Sequence, residues 1–391
     1  MDFEFDEDHR ALQHELRSFA EKEVAPGAPD RDHEGRVPDE LRTQLAEMGV
    51  FGITVPEEYG GAGMGCVASS LVVEEMSRAC AGVGVMISAH NSLCVEPILK
   101  FGSDEQKAEY LPKLASGEWI GCLALTEPGS GTDMGAAACQ AELRDDGWHI
   151  NGTKIFITNG GDADLAVLLA NSDPDNPKKS RRLSLFIVKR DTPGLTLGKL
   201  EKKLGIRCST TAEYVFEDCV IPKENLLGTP GKGTSEALWT LDGGRIGIAA
   251  QALGIAWACL DESARYANTR EQFGHPLGRF QAIQHKLADM AVGITAAREL
   301  VYRAAWLKDT DGDYSYTGAM AKLFASEVAS NCANHAVQIF GGYGYCEDYP
   351  VERLLRDAKI TEIYEGTSEA QRMVIARGVM AAAAANWEAT V

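Results

Sequence analysis

Residues 141–150 read Ala-Glu-Leu-Arg-Asp-Asp-Gly-Trp-His-Ile. Asp146-Gly147 lies between two short strand-like runs, and an Asp-Gly pair is a hairpin turn signal because both central residues of such a turn need φ above zero. Outward from this hairpin, from about Trp119 to residue 225, further β-rich runs at 166–170, 183–188 and 212–221 alternate with clusters of Gly, Asp, Asn and Pro. On either side the period turns helical. Upstream, Leu12, Leu16, Phe19 and Val24 keep helical spacing until Pro26, and Leu41, Leu45 and Met48 repeat it with Gly49 as the stop. Ser103 with Gln106 three residues later forms a capping-box pattern opening a helix through Leu114. Downstream, helical texture runs over 234–268, 280–308, 315–340 and 368–385. The expected architecture is α+β: an N-terminal helical domain (1–118), a middle β-domain (119–230) and a C-terminal helical-bundle domain (231–391), with no internal repeat. The polar stretch 173–179, with two prolines, reads as a solvated loop of the β-domain.

The 391 residues are 45% hydrophobic and 24% charged, enough for a large core. A net charge of -19 makes a phosphate backbone a poor partner, so nucleic-acid binding is not expected. An anionic substrate then needs a locally basic or dipolar pocket. Ten cysteines at 66, 80, 94, 122, 139, 208, 219, 259, 332 and 346 include no C-x-x-C pair and sit in apolar surroundings, which indicates reduced thiols rather than a metal or disulfide framework. The acidic start Met-Asp-Phe-Glu-Phe-Asp resembles neither a signal nor a transit peptide. No apolar run approaches the ~20 residues of a membrane span. The expectation is a soluble protein of the bacterial cytoplasm with no membrane insertion.

Familiar cofactor fingerprints fail. The glycine-rich 60–65 has no G-x-G-x-x-G register after a strand, and Gly231-Lys232-Gly233-Thr234 lacks the Ser or Thr that must follow the lysine of a P-loop. No H-E-x-x-H or nucleophile elbow is present. Four other segments combine small and polar residues at strand or helix ends. Residues 125–133, Leu-Thr-Glu-Pro-Gly-Ser-Gly-Thr-Asp, place hydroxyls and backbone N–H groups around a turn suited to an acceptor-rich ligand. Residues 156–161, Phe-Ile-Thr-Asn-Gly-Gly, form a second strand end. Residues 338–344, Gln-Ile-Phe-Gly-Gly-Tyr-Gly, end a helix in glycines that admit close backbone approach. Residues 363–369, Ile-Tyr-Glu-Gly-Thr-Ser-Glu, set a carboxylate beside a glycine, just before a helix capped by Thr367 or Ser368. Each alone is explicable as turn or cap chemistry; the four together are not.

With the R-x-x-F-G-x-P-L run from Arg270 to Leu277, these motifs occur in an order that resembles the acyl-CoA dehydrogenase family along essentially the whole chain, most closely its short-chain (butyryl-CoA) branch. The resemblance implies one FAD per subunit of a homotetramer. It implies that Leu123, Thr126, Gly131 and Thr132, with Phe156, Ile157 and Thr158, line the flavin ring, Thr126 and Thr158 bonding its polar edge. Arg270 and Gln272 would meet the FAD pyrophosphate with Gln281 nearby, Gln338, Gly341 and Gly342 the FAD of the adjoining subunit, and Thr367, Ser368 and Glu369 the diphosphate end, in keeping with anion binding at a helix N-terminus. Thr132, Asp242, Arg245, Gln251, Thr361, Tyr364 and Gly366 would meet the acyl-CoA. No metal is implied.

The implied chemistry removes one hydrogen from each of the α and β carbons, giving a trans-2-enoyl-CoA. Glu365 takes the α-proton, the hydride goes to flavin N5, and electrons pass to an electron-transfer flavoprotein. Burial in an apolar site should raise the Glu365 pKa toward working pH. Some relatives carry the base just before the arginine of the 242–245 segment; here that position is Gly244, which accepts no proton. Gln251, six residues beyond Arg245 on one helix, and Thr361, four before Glu365, would close the far end of a short acyl pocket. Phe156 departs from the Trp usual beside the flavin, an aromatic wall without the indole N–H. The competing readings are an acyl-CoA oxidase, a branched-chain acyl-CoA dehydrogenase and a DNA-associated member of the superfamily; the charge of -19 speaks against the last.

Overall fold

The computed structural model describes residues 4–384. Seven helices come first: α1 (Glu7–Phe19), α2 (Ala28–Glu34), α3 (Asp39–Glu47), α4 (Cys66–Ala79), α5 (Ala81–His90), α6 (Glu96–Phe101) and α7 (Asp104–Ala115). Local chemistry sets their ends. Gly49, just past α3, has φ +71°, and the Ser103 hydroxyl and Gln106 amide make the reciprocal capping box of α7. Helices α4 and α5 had no signal in the apolar periodicity because both are buried almost all round; α5 is covered at every residue and so has no polar stripe to set a phase.

Eight strands follow: β1 (Gly121–Ala124), β2 (Gln140–Arg144), β3 (Gly147–Thr158), β4 (Leu165–Asn171), β5 (Leu183–Lys189), β6 (Leu195–Leu200), β7 (Thr211–Ile221) and β8 (Leu226–Leu227). A hairpin joins β2 to β3 as expected, but its two-residue turn is Asp145-Asp146 rather than Asp146-Gly147: Gly147 opens β3 opposite Arg144, with Ala141 opposite Ile150 and Leu143 opposite Trp148. The sheet runs β6-β7-β3-β2-β4-β5-β8, with β1 parallel beside β4. Strand β4 is apolar on both faces because both are covered. Leu165, Val167 and Leu169 pack toward the helices around Ile98 and Leu114, while Ala166, Leu168 and Ala170 pack inside the β-domain with Trp148 and Phe186.

The remaining elements are α8 (Gly233–Thr269), the hairpin β9 (Glu271–Gln272) with β10 (His275–Pro276), α9 (Gln281–Asp309), α10 (Ser315–Phe340), α11 (Val351–Ile360) and α12 (Ser368–Ala384). Against the expectation of no long apolar run, α8 is apolar and long enough to cross a membrane by composition. Of its most apolar window, 83% is buried, and α8 packs against α4, α9 and α10 as the central helix of the bundle. All ten cysteines are free thiols, and only Cys346 is exposed.

Candidate active site

Helix α11 stops at Ile360, and residues 361–367 form a turn that carries Glu365 four residues beyond Thr361. Glu365 has φ +51° and Gly366 φ +93°. A glutamate in the left-handed region is held there by its surroundings at a cost of order 1–3 kcal/mol, and such residues cluster at functional sites. Beyond the turn, Thr367 rather than Ser368 caps α12, its Oγ1 accepting from the Ala370 N–H at 3.3 Å. Ser368 is buried and donates its N–H to the Glu362 carbonyl.

The left-handed turn carries the Glu365 carboxylate inward onto α8. A Cβ placed on Gly244 would stand 2.1 Å from Glu365 Oε2 and 3.0 Å from Leu93 Cδ2. Position 244 and the Glu365 carboxylate therefore meet at one point in space, although 121 residues separate them in sequence. Glu365 Oε2 is buried and accepts no hydrogen bond among the described residues. Burial pushes the Glu365 pKa up to about 7, opposed by the cations of Lys322 and Arg245. Arg245 is buried and ion-paired with Asp242 one turn before it. Among the described residues the Glu365 backbone N–H donates to no acceptor.

Gln251, fully buried on α8, donates Nε2–H to the Ala81 carbonyl at 3.0 Å and accepts from the Tyr364 hydroxyl. This joins α8, α5 and the turn carrying Glu365 into one polar patch. Thr361 is also fully buried, but its hydroxyl donates to the Ala358 carbonyl at 2.7 Å. Its methyl and bulk, not its oxygen, are what it offers a neighbouring cavity.

On the β-domain, Glu127 and Ser130 exchange backbone hydrogen bonds, and the Ser130 hydroxyl donates to the Asp133 carbonyl at 2.7 Å. This turn is anchored from below by Lys154, whose buried Nζ donates to Glu127 Oε1 at 2.6 Å and to the Leu125 carbonyl at 2.9 Å. The Ile155 N–H donates to the Thr126 carbonyl, tying loop to strand, and a bulge in the β3–β7 ladder follows at Lys154–Ile157. The bulge turns Phe156 outward, φ +56° and 60% exposed, while the Ile157 side chain enters the β-domain core. A flavin at this corner would therefore meet Ile157 through its backbone. Leu123, Thr126 and Thr158 are half-buried at the same corner; Gly131 and Thr132 are exposed.

A recess of about 480 Å³ gathers Arg270, Gln272, Gly341 and Gly342 with Tyr266 and Tyr343. The Arg270 guanidinium lies 5.3 Å from the Tyr343 ring centre. Gln281 and Gln338 are exposed and stand outside this lining, and Glu369 is exposed at the start of α12. A Cβ on Gly129, Gly131 or Gly342 would meet nothing within 4 Å, so the chain's own packing does not require glycine there, whereas Gly341 has φ +62° and needs it for its backbone. Open glycine backbone and a cation beside aromatic rings suit a flat aromatic cofactor with a diphosphate. Sequence reasoning missed Lys154, Lys322, Gln371, Tyr266 and Tyr343. The usable signal was a lysine inside an otherwise small and apolar run, as in Ala319-Met320-Ala321-Lys322-Leu323.

A sheet held between two helical blocks, with a recess that gathers a cation, aromatic rings and open glycine backbone, is an architecture of flavin-using oxidoreductases. The chain matches the N-terminal, middle and C-terminal domains of acyl-CoA dehydrogenase over residues 6–118, 122–219 and 231–380. It is 52% identical over 373 residues (95% of this chain, 90% of the relative) to the mitochondrial short-chain specific acyl-CoA dehydrogenase of Mus musculus. Butyryl-CoA dehydrogenase from Megasphaera elsdenii superimposes with a TM-score of 0.94 at 46% identity, covering 97% of this chain and 100% of that one. A chain from the structural study of the electron transferring flavoprotein of Acidaminococcus fermentans gives 0.95 at 48%, covering 97% and 99%. This chain belongs to the acyl-CoA dehydrogenase family of FAD-dependent oxidoreductases, in its short-chain branch.

Proposed function

We propose that this enzyme oxidises short acyl-CoA thioesters to trans-2-enoyl thioesters with Glu365 as the α-proton base. The observation that carries the proposal is the buried, unpartnered Glu365 Oε2 with its pKa pushed up to about 7. A base is most effective when its pKa lies near working pH, and an orphaned buried oxygen is a group awaiting a proton. The free Glu365 N–H supplies a donor for the thioester oxygen, on which charge develops as the α-proton leaves. The Thr126 corner, Phe156, Arg270, Gln272 and the Gly341-Gly342 backbone would hold FAD, which when bound supplies the acceptor for the β-hydride. Arg245, though paired with Asp242, keeps a buried Nε–H without a partner, a donor on offer to an acceptor of the substrate.

Gln251, Tyr364 and Thr361 support a short pocket. Their polar atoms are held by one another, by Ala81 and by Ala358, so these buried side chains form a fixed floor that a longer alkyl tail would have to displace. Each added methylene that fits contributes about 0.8 kcal/mol, while overpacking costs about 1–3 kcal/mol, so the clash wins. Likeness to the chain studied with the electron transferring flavoprotein supports such a flavoprotein as electron acceptor. The protruding β9–β10 turn, with Phe273 90% exposed, supports the homotetramer in which subunits share FAD sites. The acidic surface suits a soluble enzyme of the bacterial cytoplasm.

The test is anaerobic mixing of purified enzyme with butyryl-CoA and octanoyl-CoA, followed by flavin absorbance and a dye-linked rate. The expected result is bleaching by butyryl-CoA, slow reoxidation in air, and kcat/KM falling steeply by eight carbons. Preference for octanoyl-CoA would overturn the short pocket, and rapid reoxidation by oxygen would mean an oxidase.

A further inference from the structure

The base stands on an improbable piece of backbone. Two consecutive residues, Glu365 and Gly366, occupy the left-handed region, and no helix or strand hydrogen bonds brace them. Two buried side chains from different helices converge on this point. Lys322 of α10, with 0% of its surface exposed, donates Nζ–H to the Gly366 carbonyl at 2.7 Å. Gln371 of α12, also fully buried, donates Nε2–H to the same carbonyl at 2.9 Å and to the Glu365 carbonyl at 3.3 Å. A Cβ on Gly366 would stand 2.6 Å from Gln371 Nε2, so the clamp needs glycine for its space as well as its φ.

A neutral carbonyl does not require a lysine, since Gln371 alone could satisfy one lone pair. A fully buried ammonium is costly unless an opposite charge faces it. The groups acting on Lys322 are Glu365, the carboxylates of Glu362 and Glu369, and Arg245 of α8. Glu362 already receives the Ser330 hydroxyl and the Lys359 ammonium, and Glu369 is exposed. Arg245 is taken by Asp242. Glu365, whose Oε2 has no bonded partner, is the anion whose charge acts most on Lys322, through space and without a direct ion pair. Burial pulls the Lys322 pKa down to about 8, so the ammonium is charged through neutral pH.

We infer that Lys322 is a positioning residue for the base, fixing the Glu365-Gly366 peptide through the Gly366 carbonyl and holding the Glu365 carboxylate ionised by its charge, with Gln371 as the uncharged half of the same clamp. The inference rests on the reading of Glu365 as base. Removing the charge should make the Glu365 carboxylate harder to ionise, because one of the two cations that favour its anion is gone.

The test is the pH profile of kcat/KM for butyryl-CoA in Lys322→Gln and Lys322→Met, beside Gln371→Met, each with flavin content measured. A cation a few ångströms from a carboxylate shifts its pKa by roughly one unit or more. The acidic limb of both Lys322 variants should therefore move up by about one unit. The ionised fraction near pH 7 would then fall about fivefold from titration alone, and Lys322→Gln, which keeps a donor for Gly366, should recover to within about twofold near pH 8.5. Gln371→Met should lower the rate at every pH without moving the limb. An acidic limb unmoved in Lys322→Gln and Lys322→Met, or loss of flavin in both, would overturn the inference and leave Lys322 a structural residue. Glu365→Gln separates the two readings. If it keeps its turnover, the base reading itself fails; if it is inactive while the Lys322 variants keep the parent limb, only the role of Lys322 falls.

Discussion

Replacing Gly244 with alanine should separate catalysis from stability. In the interior of α8 an alanine is favoured over glycine by about 0.5–1 kcal/mol. Its Cβ, however, would stand 2.1 Å from Glu365 Oε2 and 3.1 Å from Glu365 Cδ, against an ordinary contact of about 3.5 Å or more. The carboxylate is the far end of a flexible side chain and can swing away at little cost to folding, but the swing must exceed about 1 Å. A 1 Å misplacement of a reacting group can cost about 10²-fold in rate. Gly244→Ala should keep FAD, unfold within a few degrees of the parent, and lose about 100-fold in kcat with butyryl-CoA. Steady-state kinetics and thermal melts on the same preparation check both halves. A kcat within about threefold of the parent would refute the placement of the carboxylate against position 244. A large fall in Tm with the rate would mean that the clash is borne by the fold rather than by the base.

Gln251→Ala removes the floor amide and leaves the Tyr364 hydroxyl without its acceptor, so the octanoyl-to-butyryl ratio of kcat/KM should rise by about tenfold, the burial of two methylenes; an unchanged ratio would place the floor elsewhere. Arg270→Ala removes the cation of the recess, and with a charged hydrogen bond worth about 1.5–3 kcal/mol it should weaken FAD binding by about 10- to 100-fold and loosen the assembly; full FAD retention by a dilute variant in light scattering would contradict it. Glu74, Asp357 and Glu365 each have burial-raised pKa values of about 7. A carboxyl whose folded pKa is raised stabilises fully below its unfolded pKa and loses that contribution as pH rises through the folded value. Tm should therefore lose this contribution between about pH 4.5 and pH 7 and level off above it, and Glu365→Gln should show a shallower fall; equal slopes would contradict the Glu365 share.

The three-part architecture was legible because its signals are local. The β2–β3 hairpin, the Ser103–Gln106 box and the long helical runs each depend on residues near in sequence. Helices α4 and α5 escaped because a helix buried on every side has no amphipathic phase to read. Glu365 was nameable from its motif, whereas its left-handed backbone and its meeting with Gly244 were not, since both arise from the turn after α11 folding back onto α8. Lys322 and Gln371 were invisible for the same reason: one is 44 residues before Gly366 and the other five after it, and only packing brings both to one carbonyl. Ile157 adjoins Phe156 in the motif, but the bulge between Lys154 and Ile157 breaks the strand alternation and turns its side chain to the core, which no sequence period signals.

The central claim is that Glu365 takes the α-proton, and the most direct measurement is anaerobic single-turnover flavin bleaching by butyryl-CoA in Glu365→Gln beside the parent enzyme. The substitution keeps the size of the side chain and removes the proton acceptor. FAD content and butyryl-CoA binding should match the parent, while the bleaching rate should fall by at least about 10²–10⁴-fold, the usual cost of losing a general base. Bleaching within about tenfold of the parent rate would show that another group removes the proton, and would contradict the account.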